Sequence, residues 1–318
     1  MNQLLIMAPF RPRHLAQIRE AAGPEWELVL LPEDAPADEV RRALSTAQVV
    51  LGGPDPALLG ESDTLRWVQL TWAGDDAYTQ GPVPFPNRVR LTNASGAFGV
   101  AISQYVLGQV LALYQNLPGY WSQQQRREWA DRGPIASLDG ATVLIFGAGN
   151  LGGETARRLR GFDVRTVGVC RDTSRPRPDF HALCTLEEAE AWLPRADVVV
   201  GCLPYNGATR RYLDRRRLEL MKPGAVLVNV GRGNFVDCDA LADLLNRGRL
   251  RGAALDVTDP EPLSQDHPLW TARGCVITPH VSGGSFGRLD AIEDTICDIC
   301  CENLRRWNAG QPLKNLVY

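Results

Sequence analysis

The stretch VLIFGAGNLGG, Val143 to Gly153, decides how this chain is read. Four apolar residues make a buried strand, and Gly147, Gly149 and Gly152 follow in G-x-G-x-x-G spacing at the start of a helical run, ETARRLRGF. Gly147 permits a tight turn, Gly149 lets backbone approach a pyrophosphate, and Gly152 allows close helix packing. Amides at the helix start, around Asn150 and Leu151, then hold the anion. A second strand, TVGVC (Thr166 to Cys170), comes at the distance a βαβ dinucleotide unit requires.

An acid usually ends that second strand, where it holds both hydroxyls of an adenosine ribose. Here the strand runs into Cys170 and Arg171, with Thr173, Ser174 and Arg175 just beyond. Arg171 would attract the 2′-phosphate of NADP, which an acid would repel. In the other reading Arg171 is a solvated loop residue and Asp172 bends back to the ribose, as NAD requires. NADP(H) is favoured, with NAD(H) as the alternative.

Strand and helix alternate on both sides of the loop. Before it, LLIMAP, WELVLLP, AQVVLGG, LRWVQLTWAG and VRLTNASGAFG read as short strands ending in turns, with helical spacing in RHLAQIREAAG and ADEVRRALSTA. Val100 to Tyr120 reads as one long apolar helix. After it, VRTVGVC, ADVVVGCLP, AVLVNVGRG, GAALDV and CVITPH are continuous apolar runs, the mark of a parallel sheet covered on both faces. RLDAIEDTICDICCENLRRWNAG then returns to helix. The fold class is α/β, with two successive units in 318 residues.

Bulk properties narrow the partners. With 34 basic and 37 acidic side chains the net charge is only -3, so no field would gather nucleic acid or an acidic membrane. No apolar run reaches the roughly 18 residues of a membrane span, and the N-terminus lacks a signal-peptide pattern. A cytoplasmic protein acting on a small molecule is expected. Most of the eight cysteines stand singly near apolar strands, as reduced core residues do. Cys297, Cys300 and Cys301 have CxxC spacing but no second ligand pair, so helix packing is expected there and no metal. His14 and His181 are expected to face solvent.

Three polar residues follow strands in the later half: Arg232 in NVGRGNF, Glu261 in DVTDPEPL and His280 in TPHVSGG. Ligands of open α/β sheets bind outside the carboxyl ends of the strands, so these residues share a crevice with the dinucleotide. A guanidinium can grip a carboxylate in bidentate fashion. A histidine can donate a proton near neutral pH while a neighbouring carboxylate orients it and stabilises the imidazolium. Together they describe reduction of a 2-oxo acid.

In order and spacing, GAGNLG, NVGRG, LDVTDPEPL, DHPLW and TPHVSGG resemble the D-isomer-specific 2-hydroxyacid dehydrogenase family, the shorter glyoxylate or hydroxypyruvate reductases being the nearer type. The likeness covers essentially the whole chain: TWAGDDAY is similar to the family's carboxylate-binding loop and TNASGAFGVAISQYVLG to its interdomain segment. It implies a Rossmann-type doubly wound domain over 99–283, inserted into a flavodoxin-like substrate domain formed by 1–98 and 284–318. Hinges would lie near Gly99 and Gly283, and closure would exclude water.

By the same resemblance, Arg232 binds the substrate carboxylate and carbonyl, His280 is the acid/base and Glu261 pairs with it. The backbone of Ala73 and Gly74 adds carboxylate donors. Asp256 meets the nicotinamide carboxamide, and Leu203, Pro204, Thr209, Val230 and Gly231 line the cofactor. Trp72, Tyr78 and Trp270 are candidates for the side-chain pocket. The product would be a D-2-hydroxy acid, and the segment Val100 to Trp129 would make a homodimer contact. Asp75 and Gln104 depart from the family pattern, as does the missing second-strand acid. The alternatives are an NAD-dependent dehydrogenase working oxidatively and a dinucleotide-sensing binding protein similar to transcriptional corepressors.

Overall fold

The apolar runs preceding the glycine loop form β1 (Asn2–Met7), β2 (Trp26–Leu30), β3 (Val49–Gly52), β4 (Trp67–Gln69) and β5 (Arg90–Thr92). These pair in parallel in the order β2-β1-β3-β4-β5, a flavodoxin-like winding that changes direction between β1 and β3. The computed structural model describes residues 2–284 and 286–318, and the chain divides into two compact units, Gly99–Gly283 and the remainder on either side of it.

The second unit holds β6 (Thr142–Phe146), β7 (Arg165–Val169), β8 (Ala182–Cys184), β9 (Val198–Gly201), β10 (Val226–Asn229), β11 (Gly252–Leu255) and β12 (Cys275–Ile277). Their order, β12-β11-β10-β9-β6-β7-β8, is that of a doubly wound dinucleotide fold, with its switch point between β6 and β9. The two-residue period sorts each strand between two cores. Val143, Ile145, Val198, Val200, Val226 and Val228 pack on one face, while Leu144, Phe146, Val199 and Leu227 pack on the other. Burial on both faces explains why these strands carry no polar alternation.

The helix Asp290–Asn308 completes the first unit from the far end of the chain. Its Asn303 Nδ2 donates to Gln69 Oε1 of β4 at 2.8 Å, both residues being fully buried, and Trp307 stacks on Trp67 at 5.5 Å. It packs on the helix Pro12–Ala22, where His14 overturns the expectation of solvent exposure: it is 1 % exposed and its Nε2 pairs with Asp294 at 2.7 Å. A partner 280 residues away offsets part of the cost of burying it, while Nδ1 has no partner among the described residues. Cys297, Cys300 and Cys301 are buried in the same seam, with Cys297 Sγ 3.9 Å from Cys301 Sγ and 3.3 Å from Gln17 Oε1. Among the described residues no group of three or more His, Cys, Asp or Glu could hold a metal, and no helix is long and apolar enough to cross a membrane.

Two details differ from the sequence reading. The long helix after Gly99 breaks into Gly99–Tyr114 and Leu117–Gln125, because Pro118 cannot continue the first and Asn116 takes a left-handed turn at φ 57°. The three-residue β8 on the sheet edge is too short to show a period.

Candidate active site

Glycines build the site by letting strand ends touch. Gly147 has φ 101°, and a Cβ on it would lie 3.0 Å from the Cys202 carbonyl oxygen just past β9. A Cβ on Gly231, past β10, would lie 2.5 Å from the Leu203 carbonyl oxygen, and one on Gly233 would lie 1.8 Å from that of Thr258, past β11. Leu203 is thus packed beside the glycine loop, while Val230 is buried, its N–H donating to the Gly201 carbonyl at 2.9 Å. Pro204 is exposed, and Thr209 Oγ1 donates to the Asn206 carbonyl at 3.1 Å.

The loop has the form of an anion cradle. A Cβ on Gly149 would meet nothing within 4 Å, whereas one on Gly152 would sit 2.0 Å from the Gly147 carbonyl oxygen. The loop is therefore open outward and closed inward. The bond from Gly153 N to Gly149 O at 2.8 Å leaves the amides of Asn150, Leu151 and Gly152 ahead of it, without an intrahelical acceptor. These donors suit the pyrophosphate of a nicotinamide dinucleotide.

Beyond β7, Arg171 and Thr173 are exposed. Asp172 is engaged locally: it accepts from Ser174 N at 3.0 Å and Ser174 Oγ at 2.6 Å, and pairs with Arg175 Nε at 3.0 Å. The Ser174 bonds first, with Arg177 and Arg175 adding, hold its carboxyl below the usual range. Sequence reasoning missed Arg177. Its guanidinium donates to the Ala148 carbonyl of the glycine loop, while its buried Nε has no partner among the described residues.

The catalytic candidates stand at the ends of β10, β11 and β12. Arg232 opens a short 3₁₀ turn, Gly233–Phe235. Asn229, the last residue of β10, braces it: Nδ2 donates to the Arg232 carbonyl at 2.9 Å and Oδ1 accepts from Gly231 N at 3.3 Å. Glu261 Oε2 lies 3.3 Å from His280 Nδ1, both side chains being about half exposed. His280 itself adopts φ 52°, a left-handed conformation that costs a non-glycine residue on the order of 1 kcal/mol.

Asp256 holds that conformation. It is 1 % exposed, and its carboxylate accepts from Thr278 Oγ1 at 2.6 Å, Val281 N at 2.9 Å and Ser282 N at 3.0 Å. Its carbonyl accepts from His280 N at 2.8 Å. Each bond to a buried charged group contributes about 1.5–3 kcal/mol, so the residues flanking His280 are fixed to β11. Tyr105 extends the network through a 2.7 Å bond to Thr278, and burial pushes its phenol up to about 12.

In the first unit, Ala73 and Gly74 lie in a turn whose Ala73 carbonyl accepts from Asn93 Nδ2 at 2.8 Å. Tyr78 does not line a pocket: it is 4 % exposed and its hydroxyl donates to the Pro54 carbonyl at 2.7 Å. Trp72 and Trp270 are 38 % and 51 % exposed.

A glycine cradle at a switch point, with an imidazole–carboxylate pair and a guanidinium at the ends of neighbouring strands, defines a dinucleotide-dependent oxidoreductase. The family model described as the D-isomer specific 2-hydroxyacid dehydrogenase, NAD binding domain, matches residues 107–282. The chain belongs to this family and is an NAD(P)-dependent oxidoreductase acting on the CH–OH group. A family protein from Aeromonas salmonicida has the same fold at 32 % identity and TM-score 0.86, covering 100 % of this chain and 99 % of its own. An uncharacterized protein of the mprR 3′ region of Streptomyces coelicolor is 37 % identical over 268 residues, 83 % of this chain and 92 % of its own. Glyoxylate/hydroxypyruvate reductase A of Serratia proteamaculans is 30 % identical over 274 residues, 83 % of each chain.

Proposed function

We propose that the protein reduces a small 2-oxo acid of the glyoxylate or hydroxypyruvate class to the D-2-hydroxy acid, with NADPH as the preferred dinucleotide. The observation that carries this reading is the His280–Glu261 pair, held in a strained backbone next to the anchored Asp256 carboxylate. The dinucleotide, when bound, supplies the hydride. His280, with Nδ1 turned to Glu261, presents Nε2 as the donor of a proton to the carbonyl oxygen, and Glu261 stabilises the imidazolium beforehand. Arg232 takes the substrate carboxylate and orients the carbonyl. In the first unit, the amides of Ala73 and Gly74 are further carboxylate donors.

The residues proposed to hold the dinucleotide are Gly147, Gly149, Asn150, Leu151 and Gly152 at the pyrophosphate. Leu203, Pro204, Thr209, Val230 and Gly231 lie beside it, and Asp256 lies at the carboxamide. Arg171 and Thr173 are assigned to a 2′-phosphate, while Ser174, also expected there, gives its N–H and hydroxyl to Asp172. That preference for NADPH is supported by Asp172, whose carboxylate is already taken up by Ser174 and Arg175, and by the second guanidinium, Arg177, on the loop. Eight free cysteines suit the reducing cytoplasm. A homodimer is supported by the arm past Gln125, where Trp129 is fully exposed and Ile135 is 59 % exposed while Tyr120 and Arg251 tie the arm down.

Initial rates with glyoxylate and hydroxypyruvate, using NADPH and NADH at equal concentrations, test the reading. Turnover of both acids with NADPH ahead is the expected result. Faster turnover with NADH would reassign the ribose to Asp172, and no reduction of any 2-oxo acid would remove the catalytic assignment.

A further inference from the structure

The first unit has its own switch point, and a cavity of about 440 Å³ opens at the carboxyl ends of its strands. Pro9 follows β1, Glu33 follows β2, Gly53 follows β3, Thr71 and Trp72 follow β4, and Phe286 closes the lining. The chemistry of this wall is one-sided: two aromatic rings, a proline, a hydroxyl and a single ionisable group, the Glu33 carboxylate. Trp72 lies so close over Gly53 that a Cβ there would come within 1.8 Å of an indole carbon, so the missing side chain fixes where the ring sits. Phe286 is held edge-on by Phe10 at 5.1 Å. Glu33 is exposed at the rim of the cavity, where partial desolvation and the adjacent Asp34 push its carboxyl up.

A carboxylate and a part-exposed indole lining the same cavity complement a cation, which could meet the one through a charge-assisted hydrogen bond and the other through a cation–π contact. A planar guanidinium does both better than an ammonium. A second anion would meet like charge. Trp72 leads directly into Ala73 and Gly74, the amides assigned to the carboxylate end of the substrate.

We propose that this cavity selects a substrate with a positively charged tail: a 2-oxo acid whose side chain ends in a guanidinium, placed between Glu33 and Trp72. The inference goes beyond the small acids proposed above, extending the same 2-oxo acid reduction to a longer substrate, and rests on the assignment of Ala73 and Gly74 as carboxylate donors.

Calorimetric titration of the whole protein with 4-guanidinobutanoate, hexanoate and glutarate tests the cavity without chemistry. The guanidino acid binds about tenfold more tightly than either of the others, and the advantage shrinks to about twofold or less in Glu33→Gln and in Trp72→Leu. Equal affinities for the three acids, or an advantage that survives Glu33→Gln, overturn the proposal. Turnover separates it from the broader reading. The kcat/KM ratio of 5-guanidino-2-oxopentanoate to 2-oxohexanoate, taken within one preparation so that inactive protein cancels, is about ten and reverses toward the neutral acid in Glu33→Lys. Glyoxylate reduction without cation preference would sink the cavity proposal alone. Guanidino binding without reduction of any 2-oxo acid would sink the catalytic reading and leave the cavity as a cation site.

Discussion

The carboxyl ends of β10, β11 and β12 and the loop after β7 serve the same unit but are built on opposite plans. At the first, Gly231 and Gly233 bring backbones into contact, Asn229 clamps the Arg232 turn, and Asp256 ties three donors around His280. At the second, exposed residues are organised by one short Asx-type turn at Asp172. The proposed catalytic residues sit where the backbone around Arg232 and His280 is held by Asn229 and Asp256. The proposed discrimination between dinucleotides is assigned to exposed side chains that can change without disturbing the rest.

Substitutions can break this contrast. The largest effect is expected for His280→Ala: kcat falls by about a thousandfold, with dinucleotide affinity by fluorescence titration little changed, since the proposed proton donor is lost while the cradle stays. A variant with near-normal turnover would show that another group protonates the carbonyl. Gly233→Ala should come next, with kcat/KM lowered on the order of a hundredfold together with a lower Tm, because a methyl group cannot coexist with the Thr258 carbonyl at 1.8 Å. Unchanged kinetics there would mean that the Arg232 turn is less constrained than its contacts imply.

On the exposed side the effects shrink. Arg171→Ala should lower the ratio of kcat/KM for NADPH over NADH by about tenfold at constant Tm, through loss of one charge-assisted contact to the 2′-phosphate. The smallest change is expected for Asp172→Asn, about threefold or less in the rate with NADH, because the carboxylate already serves its own turn. A collapse of NADH use in that variant would place the ribose on Asp172 and reverse the cofactor assignment.

What the sequence revealed follows from how local each signal is. Gly147, Gly149 and Gly152 announce the cradle because turn, approach and packing are all set within six residues. The apolar runs announce parallel sheets because burial on both faces removes polar alternation. Arg232, Glu261 and His280 stand out only as an ordered series, since each alone has an ordinary structural reading. Contacts that span the chain were not legible. Arg177 reaches back to Ala148, His14 is buried by Asp294, and Asp256 anchors the loop around His280, none of which leaves a local pattern. Tyr78, a pocket candidate on the sequence, gives its hydroxyl to the Pro54 carbonyl and its ring to the core.

The last helix of the chain carries a consequence for biosynthesis. Gln69 and Trp67 are covered by Asn303 and Trp307, more than two hundred residues later. During translation the dinucleotide unit is complete on leaving the ribosome, while the first five strands must wait for Asp290–Asn308 with Trp67 and the Gln69 amide uncovered. That interval exposes the nascent chain to aggregation, and a chain truncated before residue 290 would keep all five strands but leave Trp67 and Gln69 without their covering helix.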